Sequence, residues 1–227
     1  MSIVPDGALL PALVPNFVWD EPRYLSHFWF LPADTHDRLL GLTQNANFAL
    51  AIGSAEWIRL RFAPFDVDRQ MRDYLAAAWA DMADGWRCAY FFPPDDDWRG
   101  PVRGPMVAAM TILNDAMSGR GDNPEQADRA VWMHNLACHV IAPLTPYLTW
   151  WEATLVRLEH LHSWKVEGAP TVDIFADRFP QGNAISIEAL MEGVAYDPTL
   201  ARRQLARFVE RERRDGNPFV LDESETG

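Results

Sequence analysis

The amino-acid sequence predicts an all-α protein: a single-domain irregular bundle of about seven helices with an extended, proline-rich N-terminal arm. Three observations carry this expectation. Between Asp66 and Tyr90, the residues Met71, Tyr74, Leu75, Ala78, Trp79, Met82 and Trp86 recur at three-four spacing, the stripe of a helix with one face on a core. From Ala130 to Trp151 there are 22 residues without Asp, Glu, Lys or Arg, interrupted by Pro143 and Pro146, as expected of two buried helices bent or folded back at Ala142–Pro146. Strand-like alternation is confined to short fragments, and no internal repeat or low-complexity block is present.

With 227 residues and 48% hydrophobic content, the chain has enough apolar material for one large core. The expected division is an arm over residues 1–32, a helical domain over 33–216 and a partly disordered tail over 217–227. Pro5, Pro11, Pro15, Pro22 and Pro32 hold the arm extended, while Phe17, Trp19, Tyr24, Phe28, Trp29 and Phe30 make it too apolar to hang free. It should pack over the domain or over a partner.

Asp34 is placed to cap a helix from Thr35 towards Pro64, with Gly41 and Gly53 as weak points, and Asp66 to open the next. Residues 91–105 form the clearest loop, with Asp95, Asp96 and Asp97 followed by the echo Arg99-Gly100-Pro101 and Arg103-Gly104-Pro105. Pro105 suits the first turn of a helix ending at Gly119. Asn123 with Pro124 starts another, which should stop before Pro143 and restart at Thr145 and Pro146. After an irregular stretch beyond Lys165, Ser186 caps a short helix, and Asp197-Pro198 starts the last one, stopped by Gly216 and Pro218.

The net charge of -12 and pI near 4.8 oppose general affinity for nucleic acid or anionic membranes and favour a basic partner. Of the 20 basic residues only Lys165 is lysine, which with the abundant alanine suggests a GC-rich bacterial genome. Two well-separated cysteines make no disulfide framework, and the N-terminus lacks the positive segment of a signal peptide, so the cytoplasm is the expected compartment. The charge-free run is long enough to cross a bilayer, but His134, Asn135, His139 and its prolines argue against a membrane span.

The chemistry-bearing residues gather around that run. His134 and Cys138 lie four apart and share a helical face, and Glu159 with His162 forms an ExxH, so His134, Cys138, Glu159 and His162 are candidate ligands for a single zinc or iron ion in a helical-bundle enzyme. A two-metal bundle needs the ExxH twice and two further carboxylates, and only one ExxH is present. The favoured reading of these side chains is that of core histidines bonded to neighbours, with no cofactor, and the metal site is the alternative. Cys138 as a nucleophile with His134 or His139 as base lacks any marked oxyanion donor.

Two basic features are candidate anion sites: Arg99 and Arg103 in the glycine-proline loop, and Arg203, Arg207 and Arg211 on the last helix, where six arginines against two glutamates leave a local charge of +4. No nucleotide-binding glycine motif accompanies them. Candidate partner contacts are Trp19 and Trp29 in the arm, Asp95, Asp96, Asp97 and Trp98 in the loop, and the group Asp66, Asp68 and Asp73. The function expected from these features is that of a cytosolic interaction protein, immunity- or adaptor-like, which binds or neutralises a protein partner.

Overall fold

The structure is a computed structural model, and it describes residues 3–4, 15–66, 68–84, 88–92, 98–119, 125–164 and 180–221. Among these the chain forms seven α-helices: α1 (Ala33–Leu40), α2 (Gln44–Phe62), α3 (Gln70–Asp84), α4 (Gly100–Ser118), α5 (Gln126–Val140), α6 (Thr145–His162) and α7 (Ala201–Arg214). Short 3-10 segments occur at Glu21–His27, Ile187–Leu190 and Pro198–Leu200. Pairing between extended segments amounts to isolated bridges, Leu42 with Ser163 and Cys88 with Val220. The irregular all-α bundle expected from the sequence is therefore the fold.

The central element is α2, which packs against α3, α4, α5 and α6. Its face-to-face burial follows from its composition. Ala46, Ala49, Ala51, Ala55 and Gly53 are distributed around the helix, so neighbours approach from every side instead of along one stripe. Gly53 is the closest approach: a Cβ there would lie 2.5 Å from a Leu190 methyl and 2.8 Å from the Trp150 ring. α5 is the main neighbour of α2, but α6 turns Leu148, Val156 and Leu161 outward. Absence of charge marks a helix that can be buried, whereas small residues decide which one can be surrounded.

Several boundaries differ from expectation for local reasons. Gly41 divides the first expected helix into α1 and α2, while Gly53 leaves α2 unbroken. The N–H groups at the start of α2, which a helix cannot satisfy internally, donate to distant carbonyls: Thr43 to His162, Gln44 to Pro180 and Asn45 to Gln181. Helix α4 begins at Gly100 instead of Pro105, so the two Arg-Gly-Pro steps are successive turns of one helix, with Pro101 in the first turn and Pro105 inside it. Ser186 stands at the cap position of Ile187–Leu190 but gives its hydroxyl to Gln204.

The side chain of Asn114 ties α4 to α3 and to residues 88–92, accepting from the Tyr74 hydroxyl and the Phe91 N–H and donating to the Phe91 carbonyl. The first residues of the tail are fastened to the bundle: Asn217 donates to the Asp73 carbonyl, Ala89 N–H donates to the Phe219 carbonyl, and Val220 is buried. The expectations for Trp86, Asn123, Pro124, the segment after Lys165 and residues 222–227 lie outside the described residues. No helix among the described residues is long and apolar enough to cross a membrane.

Candidate functional site

Across the bend at residues 141–144 the start of α6 brings Tyr147 and Trp151 against His134 of α5 and joins polar residues of the charge-free run into a chain. The Cys138 Sγ is 3.6 Å from His134 Nε2, His134 Nδ1 is 3.0 Å from the Tyr147 hydroxyl, and that hydroxyl donates to Ser54 Oγ at 3.1 Å. One set of roles satisfies all three contacts: the thiol donates to Nε2, Nδ1–H donates to the phenol oxygen, and the phenol donates to the serine. The His134 ring stacks on Trp151 with centroids 4.1 Å apart. Burial pushes His134 down to about 4 and the Cys138 thiol up to about 11. Both groups are thereby held neutral, the opposite of the thiolate–imidazolium pair that a cysteine nucleophile needs.

The four candidate metal ligands do not come together. Glu159 accepts two hydrogen bonds from Arg38, at 2.8 and 3.0 Å, and Arg38 also binds Glu152 at 2.9 Å. His162 is buried at the far end of α6, with its Nε2 3.2 Å from the Tyr196 hydroxyl. His134 and Cys138 do meet, but Glu159 is bound to Arg38 and His162 to Tyr196. Among the described residues no three His, Cys, Asp or Glu side chains are grouped to hold a metal ion.

The loop candidates resolve differently. Asp95, Asp96 and Asp97 lie outside the described residues. Arg103, a candidate anion site, and Asp66 and Asp68, candidate partner contacts, satisfy one another: Arg103 donates to Asp66 at 2.8 and 3.2 Å and to Asp68 at 3.5 Å. Arg99 is exposed at the start of α4. Asp73 is within 4 Å of Arg69 and Arg72. Trp98 is not on the surface as expected; it is buried, with Phe91 at its edge and the Arg103 guanidinium 5.1 Å from its ring centre. Arg203, Arg207 and Arg211 are exposed on α7, as expected of an amphipathic helix.

The arm is where an unsatisfied surface remains. Trp19 faces inward, against expectation: its ring covers Gly104, where a Cβ would lie 2.3 Å from the indole nitrogen, and that nitrogen donates to Glu21. Glu21 in turn accepts from the Gly100 N–H at 2.6 Å. Asn135 donates to the carbonyls of Phe28 and Phe30, and His139 Nε2–H donates to the Val18 carbonyl. His27 is stacked between Trp19 and His139, with ring centres 5.4 and 4.1 Å away. Phe28 is buried.

With its inner edge fixed in this way, the arm turns Tyr24, Leu25, Trp29, Phe30 and Leu31 outward, Trp29 at 57% and Phe30 at 50% exposure. Tyr24, Trp29, Ile112, Asp115 and Trp132 line a groove of about 180 Å3 between the arm, α4 and α5. Trp29 meets Trp132 edge-on at 5.5 Å. Arg129 lies over the Trp132 ring and is paired with Glu125, whereas Asp115 has no cationic partner among the described residues. The indole nitrogen of Trp132 is buried and has no hydrogen-bond partner.

Comparison of the chain with protein-family models, curated proteins and solved structures finds no match. The groove must therefore be interpreted from its own chemistry. Of its residues, sequence reasoning singled out Trp29 alone as a surface contact. Trp132 and Asp115 were missed, because each belongs to a helix whose pairing with the arm is a long-range event. The one signal in the sequence was the density of aromatics between Trp19 and Phe30 in a segment too rich in proline to bury them all.

Proposed function

We propose that the protein is a binding module whose arm groove seats an apolar, positively charged segment of a partner protein. The observation that carries this reading is the row of five large apolar side chains held outward on an arm whose inner edge is pinned by Glu21, Asn135 and His139. Exposed apolar area of this kind costs on the order of 25 cal/mol per Å2, and contiguous patches mark interaction sites. Tyr and Trp dominate the affinity of such interfaces because a rigid ring buries a large area with little loss of freedom.

The polar groups specify the partner. The Trp132 N–H calls for an acceptor such as a backbone carbonyl, and the Asp115 carboxylate for a lysine or arginine. The overall charge of -12 steers a basic segment towards the site. Two free thiols, Cys88 and Cys138, are consistent with the cytoplasm as the place where the module works.

The test uses a labelled peptide of alternating leucine and lysine, its leucine–glutamate counterpart, and fluorescence anisotropy. The lysine peptide should bind and the glutamate peptide should not. Trp29→Ala and Asp115→Asn should each weaken binding by tenfold or more, while Val156→Ser on α6 leaves it unchanged. Equal affinity in all three variants would reduce the attraction to general charge and refute the groove.

A further inference from the structure

Helix α7 packs its apolar face on α3, and between them and residues 186–188 a cleft of about 390 Å3 opens to solvent. Trp79 of α3, Ile187, and Leu205 and Phe208 of α7 form its apolar side. Its polar side is Ser186, Glu188, Gln204, Arg207 and Arg211, and the Arg211 guanidinium is already engaged, 4.8 Å from the Phe208 ring centre and 3.5 Å from Glu212. Glu188 lines the cleft, and its carboxylate has no hydrogen-bond partner among the described residues, one of the two oxygens being buried. At the mouth stands the Arg207 guanidinium, exposed and without a carboxylate partner among the described residues. Gln204 is oriented by Ser186, whose hydroxyl donates to its side-chain oxygen at 2.8 Å, so its amide nitrogen remains to donate into the cleft.

We propose that this cleft is a binding site for a small zwitterion with an apolar body, such as an α-amino acid bearing an aromatic side chain. Two requirements select that class. A buried carboxylate oxygen without a donor is expensive, and an ammonium group satisfies both its hydrogen-bonding capacity and its charge. An unpaired guanidinium at the rim of an apolar cleft calls for a carboxylate, which it binds through two parallel N–H donors. An apolar anion would leave Glu188 unsatisfied, and an apolar cation would meet Arg207. Only a ligand carrying both charges answers both groups while its body covers Trp79 and Phe208. The volume lies in the range of small-molecule sites. The site shares no residue with the arm groove and does not depend on the reading proposed for it.

Isothermal titration of the full chain with L-phenylalanine, phenylacetate and phenethylamine tests the assignment. L-phenylalanine should bind saturably and at least tenfold more tightly than either single-charge probe. Arg207→Gln should bring L-phenylalanine down to the affinity of phenethylamine while sparing phenethylamine itself. Glu188→Gln should weaken L-phenylalanine and phenethylamine and spare phenylacetate. Arg207 is exposed and the Glu188 change is isosteric, so circular dichroism should match the parent in both. The proposal is overturned if L-phenylalanine fails to saturate, if the three probes bind equally, or if neither substitution changes their order.

Discussion

His134 is enclosed by Tyr147, Cys138 and Trp151, and desolvation holds its imidazole neutral. Its folded value of about 4 lies below the ordinary 6.5, so proton uptake favours the unfolded chain. The stability it contributes is complete above about pH 6.5 and is lost as pH falls through that interval towards 4, a difference on the order of 3 kcal/mol. Urea denaturation from pH 7.5 to 4 should show this fall, and in His134→Gln the slope should flatten by close to one proton. An unchanged slope would place the proton uptake elsewhere. Arg103 offers a second test. The Asp66 side chain it binds is 4% exposed, and Arg103→Ala leaves that charge with the Asp68 N–H as its donor among the described residues. A loss of about 2–3 kcal/mol in urea denaturation is expected. A loss below 0.5 kcal/mol, the size of a surface pair, would show that the bridge is not buried in solution.

At the scale of elements, the arm is a strap held mainly by polar bonds at its inner edge, and one of its fastenings is sensitive to pH. The His27 ring is kept below its ordinary value first by burial and then by the neighbouring His139, with Asp20 acting in the opposite direction. Its Nε2 accepts the Asp20 N–H, a role that a protonated ring cannot fill. A lowered folded value means that arm docking is complete above the ordinary imidazole range and weakens as pH falls below it. Hydrogen exchange, corrected for intrinsic rates, should show the amides of residues 19–30 losing protection between pH 7 and 5.5 while α2 keeps its own. Equal protection of the arm at both values would remove the role of His27.

The same element shows how far the sequence could be read. Its extended course and its need to pack followed from the prolines and aromatics, which are local properties. Which aromatic faces inward did not: Trp19 turns inward, half-covered, because Gly104, 85 residues later, leaves room for its ring, and Trp29 is exposed because Asn135 takes the carbonyls on either side of it. Helix positions were legible wherever a period or a proline marked them, as at α3, α5 and α6. The start of α4 was misplaced because Pro101 and Pro105 are both acceptable near a helix start, and only the packing of Trp98 and Arg103 favours the earlier one.

For the molecule as a whole, the sign and distribution of charge decide what it attracts. Pairing between Arg103 and Asp66, Arg38 and Glu159, and Arg129 and Glu125 consumes much of the cationic surface, while α7 keeps exposed arginines. Their local excess is set within a chain of -12, so a 20-base-pair duplex should show no retention in a gel shift at 150 mM salt. A salt-dependent complex would instead make α7 a nucleic-acid contact. The candidate sites were harder to read than the fold for the same whole-molecule reason. Charges close in sequence, such as Arg99 with Arg103 or Glu159 with His162, suggest ligands to a shared ion, yet Arg103 pairs with Asp66 and Asp68, Glu159 with Arg38, and His162 with Tyr196, all distant in sequence.

Trp29 has one further consequence. Among the described residues it is the one exposed indole, since Trp57, Trp79, Trp98, Trp150 and Trp151 are buried and Trp19, Trp132 and Trp164 are half-covered. The protein therefore carries an optical reporter at the mouth of the arm groove. Acrylamide, uncharged and so indifferent to the acidic surface, should extinguish the red-shifted part of the emission first, and anything seated in the groove should shield it, without a label attached to either molecule.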